Sequence, residues 1–135
     1  MSATSLGLSY LDTSAFMKLV AEEAESAALR RHLRRGHLRT SAILLETEAL
    51  RAASRLSAEH LAVARQLLRG LALIQLDRPL YAMAGTLAPP ELRSLDALHV
   101  AAALALGQDL ADFITYDSRM IAAARNHGLP VVSPS

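Results

Sequence analysis

The 135-residue sequence has no cysteine and no tryptophan, and aromatic residues make up only 4% of it. Without thiols there is neither a disulfide scaffold nor a thiolate metal site, which is compatible with a reducing compartment. With so few rings, stacking of bases on aromatic faces is a poor source of specificity for a nucleic-acid ligand. Lysine is nearly missing as well: Lys18 is the only one, and every other basic residue is arginine. No glycine-rich phosphate loop is present, which argues against a nucleotide-binding domain. The longest apolar runs, such as Val100 to Leu106, fall far short of the ~20 residues a membrane span needs. The N-terminus lacks a basic start followed by an apolar stretch, so no secretory signal and a soluble, cytoplasmic protein are expected.

What is present is an aliphatic, alanine-rich composition, 52% hydrophobic, with a net charge of +1. At this length it predicts one domain, residues 1–135, with a substantial core. Arginine suits bidentate phosphate recognition, although a general bias toward Arg and Ala would explain its use equally well.

Apolar periodicity alternates short strands with amphipathic helices. Strands are predicted at Leu8–Leu11, His37–Thr40, Leu71–Leu76, Phe113–Tyr116 and Val131–Val132. Helices are predicted at Thr13–Glu23, Ala24–Arg35, Ala42–Arg55, Ala58–Arg69, Pro79–Leu87, Ser94–Leu106 and Ser118–His127, with Ser57 as N-cap of the fourth. Such alternation favours right-handed crossovers. The expected class is α/β: a short parallel sheet of four to five strands between two layers of helices, α/β/α.

Asp12 ends the stretch Tyr-Leu-Asp and precedes a helix, at the end of a parallel strand where ligands bind. It either caps that helix or holds a cation. Asp117 repeats the pattern in Phe113-Ile-Thr-Tyr-Asp117, with the same two readings. If the two strands are neighbours, both acids stand within reach of one ion. Asp96 lies in the first turn of a helix that is apolar almost all round. A lone ionised carboxylate there costs several kcal/mol unless paired or metal-bound. Arg93 is near enough to pair with it, and the helix dipole helps. His99, three residues on, is either a hydrogen-bond partner for an acid or, more in keeping with an apolar helix, a satisfied core residue. Glu46 and Glu48 sit about 200° apart on a helix, so only one can face a common site, and periodicity does not choose between them.

Four segments, Tyr-Leu-Asp12-Thr-Ser-Ala, Thr-Glu48-Ala-Leu-Arg51, Leu-Arg93-Ser-Leu-Asp96-Ala-Leu-His99 and Thr115-Tyr-Asp117, together resemble the PIN-domain ribonucleases. They are most similar to the VapC toxins of bacterial and archaeal toxin–antitoxin pairs, and the resemblance runs over essentially the whole chain. It implies a three-layer PIN-like fold and selects Glu48 over Glu46. It implies a metal-dependent endoribonuclease with Asp12, Glu48, Asp96 and Asp117 as catalytic and metal-binding acids. An oxygen-only donor set points to Mg²⁺, with Mn²⁺ possible, rather than Zn²⁺.

Ser14 and Thr115 are candidate hydroxyl supports, and Arg51 and Arg93 are the basic residues nearest the acids in the inferred fold. Arg30, Arg31, Arg34, Arg35 and Arg39, with His37, form the densest basic cluster, able to grip an RNA backbone or simply to face solvent. The resemblance further implies a small antitoxin partner lying across the Ala42–Arg69 hairpin, and a homodimer. The alternatives are a PIN-like nuclease of RNA processing or decay, and a non-catalytic Mg²⁺-binding doubly wound domain. A phosphoacceptor version of the last would need a lysine beside its acids near the last strands, which Lys18 does not match in sequence.

Overall fold

A computed structural model describes residues 7–135. The strands are β1 (Leu8–Leu11), β2 (Leu38–Ala42), β3 (Ala72–Ile74), β4 (Leu110–Ile114) and β5 (Val131–Val132). The helices are α1 (Thr13–Val20), α2 (Ser26–Leu33), α3 (Leu44–Leu56), α4 (Ala58–Leu68), α5 (Arg78–Gly85), α6 (Ser94–Ala105) and α7 (Ser118–Asn126). All strand pairs are parallel, in the order β3-β2-β1-β4-β5. The chain runs outward from β1 in one direction through β2 and β3, then returns to lay β4 and β5 on the other side. The reversal falls between β1 and β4, so a crevice opens beyond their carboxyl ends, where open α/β sheets bind ligands.

Side chains alternate across the sheet with period two. Leu11 and Ile114 point to one face, where they pack with Ala15, Leu29 and Leu33 of α1 and α2. Tyr10 and Phe113 point to the other, against Val100, Ala102 and Ala103 of α6 and Met120 and Ala124 of α7. The Tyr10 and Phe113 rings stack at 5.1 Å between centroids. Small residues line α6 on two sides: Ala102 and Ala103 meet the sheet, while Ala97 and Ala101 pack against Leu80 and Ala84 of α5.

The α3–α4 hairpin buries Leu45, Ala49, Ala53, Ala64 and Leu68 against Phe16 and Val20 of α1. Its turn is made by Ser57, whose hydroxyl accepts the N–H of His60 at 3.0 Å and caps α4. Ser57→Ala is therefore expected to destabilise the protein by about 1 kcal/mol, read as a shift in urea midpoint at unchanged slope.

The strongest departure from the sequence reading is β4. The apolar run suggested Phe113–Tyr116, whereas the strand is Leu110–Ile114. Asp112 disguised its start. That carboxylate is buried within the strand because the ring N–H of His32, on α2, donates to it at 2.5 Å. Thr115, Tyr116 and Asp117 are left in the connection to α7, although the Thr115 N–H still pairs with the Val132 carbonyl of β5 at 3.3 Å. Helix α1 also ends earlier than expected, at Val20, and α2 starts at Ser26. Lys18 clamps the turn between them, meeting Glu23 at 2.6 Å and Glu25 at 2.9 Å while its ammonium lies 4.9 Å from the centroid of the Tyr116 ring.

Among the described residues no helix is long and apolar enough to cross a membrane.

Candidate functional site

The β1–β4 register aligns Leu11 with Ile114, and the next residues on each chain are Asp12 and Thr115. The Asp12 N–H donates to the Ile114 carbonyl at 3.2 Å, carrying the ladder one step further. The Thr115 hydroxyl then donates to Asp12 Oδ2 at 2.5 Å and accepts the N–H of Asp117 at 3.2 Å. Ser14 adds a second cross-link: its hydroxyl donates to Asp12 Oδ1 at 2.6 Å and accepts the N–H of Tyr116 at 2.9 Å. One strand end thus holds the other through side chains, and both supports expected from the sequence lie on the same acid.

Asp12 and Asp117 each cap a helix. Asp12 accepts the N–H of Ala15 at 2.9 Å, and Asp117 Oδ1 accepts those of Arg119 and Met120 at 2.9 and 3.1 Å. The two readings of these acids are compatible, because a capping carboxylate keeps lone pairs for another partner. Asp12 is only 2% exposed and no cationic side chain pairs with it among the described residues. Burial pushes its carboxyl above the ordinary aspartate value, and the hydrogen bonds from Ser14, Thr115 and Ala15 only partly offset this. A carboxylate so placed is costly to ionise, and a cation beside it would offset that cost.

Asp96 stands in the first turn of α6, with its side chain 17% exposed, and pairs with Arg93 at 3.3 Å. The same guanidinium reaches Asp117 at 3.8 Å. Arg93 therefore lies between two of the acids. Asp96, Glu48 and Arg93 also line one cavity of about 290 Å³, together with Ser94 and Leu95.

Glu48 is set by a chain of hydrogen bonds that begins in the core. The Ala42 N–H donates to the Tyr10 oxygen at 3.1 Å, and the Tyr10 hydroxyl meets His99 Nδ1 at 2.6 Å. His99 Nε2 meets Glu48 Oε1 at 2.9 Å, and the Thr13 hydroxyl donates to the same oxygen at 2.6 Å. The roles follow from chemistry. Burial pushes the Tyr10 phenol upward, so it keeps its proton, and it donates to Nδ1. The imidazole is then the Nε2–H tautomer and donates to Glu48. Burial would raise the Glu48 carboxyl too, but the bonds from His99 and Thr13 outweigh it and the net shift is downward. Two acids near one crevice are thus driven apart, Glu48 toward the ionised form and Asp12 away from it.

The choice between Glu46 and Glu48 is resolved by the same geometry: Glu46 is exposed and lies beside Arg65 and Arg69 on the far side of α3. His99 is both things considered from the sequence, a buried core residue and the partner of an acid. Thr13 and Tyr10 were not singled out, though both flank Asp12 within four residues. Arg51 is exposed and makes no ion pair among the described residues.

The basic cluster divides. Arg30 is bound to Glu22 through two hydrogen bonds of 3.0 and 3.1 Å. Arg31, His32 and Arg35 line an open basin of about 660 Å³ at the β5 edge, where Arg125 of α7 joins them. Arg125 is remote in sequence from the others, and no local pattern points to it. Arg34 is exposed and Arg39 half-buried on β2.

Among the described residues no three carboxylate, imidazole or thiol groups stand close enough to hold one ion unaided. The donors at the crevice are carboxylate and hydroxyl oxygens, and Mg²⁺ takes one or two carboxylates, several waters and substrate phosphate rather than an all-protein cage. The residues present fit such an ion.

The model of the PIN domain matches residues 9–133. The chain is 44% identical over 126 residues to Ribonuclease VapC46 of Mycobacterium tuberculosis, covering 93% of this chain and 97% of that protein. The structure of VapC20 from the same organism, a sarcin-ricin loop cleaving toxin, superimposes with a TM-score of 0.72 at 18% identity, over 93% of this chain and 99% of that one. VapBC2 of Rickettsia felis, solved with a DNA fragment from its promoter, gives 0.72 at 14% identity, over 95% and 99%.

Proposed function

Because the chain belongs to the PIN-domain family, with a relative named as a VapC ribonuclease matching nearly its full length, we propose that it is a metal-dependent endoribonuclease acting as the toxin of a toxin–antitoxin pair in the cytoplasm. The observation that carries this reading is the crevice beyond β1 and β4. There Asp12 and Asp117 share the Thr115 hydroxyl, and Arg93 joins Asp117 to Asp96.

In this reading Asp12, Asp96 and Asp117 bind Mg²⁺ or Mn²⁺ partly through the ion's own waters, since among the described residues no three acids stand close enough to hold it unaided, and Glu48 completes the set directly or through water. When bound, the ion supplies the charge that polarises a phosphodiester and lowers the pKa of a water for in-line attack. The chain's own groups do the rest. Ser14 and Thr115 fix both oxygens of Asp12. His99 and Thr13 aim Glu48 Oε1 and keep it ionised. Arg93, and more distantly Arg51, offer positive charge to a substrate that four carboxylates would otherwise repel. Water, rather than the ribose 2′-hydroxyl, attacks, so the products carry a 5′-phosphate and a 3′-hydroxyl. The backbone beyond the site is gripped by Arg31, Arg35 and Arg125, with Arg34 and Arg39 adding to the field.

Exposed apolar side chains support protein partners: Leu56 and Val63 on the α3–α4 hairpin, and Tyr81, Met83 and Leu95 on α5 and α6. Leu95 lies beside Glu48 and Asp96, so an antitoxin segment crossing this surface would reach the acids. The same kind of surface supports a homodimer. A phosphoacceptor reading is disfavoured, because Lys18 is held by Glu23 and Glu25.

The test is cleavage of end-labelled RNA by the purified protein. Cutting is expected with Mg²⁺ or Mn²⁺, to leave 5′-phosphate ends, and to stop with chelator. Equal cutting in chelator, or none with either metal, would overturn the nuclease reading. Growth arrest on expression that Asp96→Asn relieves is expected of a toxin; its absence would favour a housekeeping nuclease.

A further inference from the structure

A second cavity adjoins the acids. It has a volume of about 240 Å³ and lies between the loop before α6 and the outer side of α7. Its walls are apolar: Pro89 and Leu92 on one side, Ala122 and Ala123 on the other. Asp96 belongs to this cavity and also to the one it shares with Glu48. Arg93 lines both cavities as well, so the Arg93–Asp96 ion pair stands between an apolar slot and the place where a phosphodiester would be cut.

Beside Arg93 and Asp96, which pair with each other, three further polar side chains stand on the rim: Glu91, Arg119 and Asn126. None of them makes a side-chain hydrogen bond or ion pair among the described residues. Their roles differ, since a carboxylate accepts, a guanidinium donates and an amide does both. The slot is also braced. His127, at the end of α7, donates from its ring to the Ala88 carbonyl at 2.6 Å, and the Leu92 N–H closes a turn onto the Pro89 carbonyl at 3.0 Å. The wall carrying Pro89 is thereby tied to the helix that forms the opposite wall.

Resting on the nuclease reading, we propose that this slot takes one splayed nucleobase of the RNA, next to the phosphate being cut, and selects it by its edge. The size suits a single base, being below the roughly 300–1,000 Å³ of sites for larger small molecules. The surfaces suit one as well. Proteins that read single-stranded RNA hold an unstacked base between flat groups and hydrogen-bond its edge, and a guanidinium serves where rings are missing. In a chain with so few aromatics, Arg119 and the proline and alanine walls supply the flat contacts, and Asn126 and Glu91 read the edge. The occupant is argued from continuity: any strand whose phosphate lies at Asp96 passes the mouth of this slot.

The experiment uses the whole protein and a pool of short RNAs randomised on both sides of the cut. Wild type is expected to favour particular bases at one fixed position by roughly tenfold or more, the discrimination that a good edge contact gives. Ala122→Leu, on an exposed position, fills the slot, and Asn126→Ala removes an edge contact; each is expected to flatten the preference to within about twofold. A preference that survives both substitutions, or wild-type cutting with no positional preference, would overturn the inference and leave the nuclease reading standing. A second arm measures anisotropy of labelled oligomers on Asp12→Asn protein, with and without Asn126→Ala. Favoured and disfavoured oligomers should differ in affinity only when Asn126 is present. If wild type cuts no RNA, the nuclease reading has failed, and equal affinity for all oligomers in this arm overturns the base slot as well.

Discussion

The Asp12→Asn protein is expected to fold, to lose RNA cleavage by at least about a hundredfold, and to melt at a higher temperature than wild type when metal-free at neutral pH. A loss of that size exceeds what removing a mere supporting hydrogen bond around a metal usually gives. The stability gain follows from the direction of the Asp12 shift. Burial raises its carboxyl above the ordinary aspartate value despite three hydrogen bonds. Between the unfolded value and the raised folded one, the native state binds more protons than the unfolded chain, so stability falls as pH rises through that window and stays lower above it. An amide carries no such charge. Melts in chelator should separate the two proteins near neutral pH and bring them together as pH falls below the ordinary aspartate range, with each 1 kcal/mol moving the midpoint by about 3–5 °C. Added Mg²⁺ should raise the wild-type midpoint and leave the variant unmoved. A variant less stable than wild type at neutral pH would mean that the hydrogen bonds alone satisfy an ionised Asp12.

His99→Ala is expected to cost about 3–5 kcal/mol, as removal of a large buried ring does, and to reduce cleavage as well. The ring is 1% exposed and joins Tyr10 to Glu48. Its loss leaves a buried phenol without an acceptor and leaves Glu48 held by the Thr13 hydroxyl alone. Tyr10→Phe alone should cost about 1–3 kcal/mol, since it strands the imidazole nitrogen and the Ala42 N–H. The double variant should be more stable than the sum of the two losses implies, by about 1 kcal/mol, because both break the same contact. Urea midpoints of the four proteins measure this. Strict additivity would mean that the two side chains act separately and that no chain of hydrogen bonds runs from the core to Glu48.

Much of this was legible in the sequence where the signal was local. Strand, acid, helix is a short pattern, and Asp12 and Asp117 announced themselves by it. The alternation of elements predicted a parallel sheet between helices, and the five-stranded sheet has that form. Other features were hidden because they depend on residues far apart. The start of β4 was hidden because a buried Asp112 sits within it, and the ring that hydrogen-bonds it there, His32, lies eighty positions earlier. The facing of Glu48 was ambiguous by helical period alone, since aliphatic residues border both candidates; the contacts from Thr13 and His99 settle it. The fate of the arginines was equally unreadable. Arg30 is spent on Glu22 and Arg125 joins Arg31 and Arg35, and nothing local distinguishes these cases.

The pairing of Asp12 with Thr115 has a wider consequence. Their juxtaposition comes from the alignment of two central strands, so the heart of the crevice is as rigid as the sheet itself. A slip of one residue would turn Asp12 to the opposite face and erase it. The surrounding helices carry no such burden. Their outward surfaces can change residue by residue while the acids at the strand tips stay where the ladder puts them. The sheet fixes the crevice, and the helix faces are left open to variation.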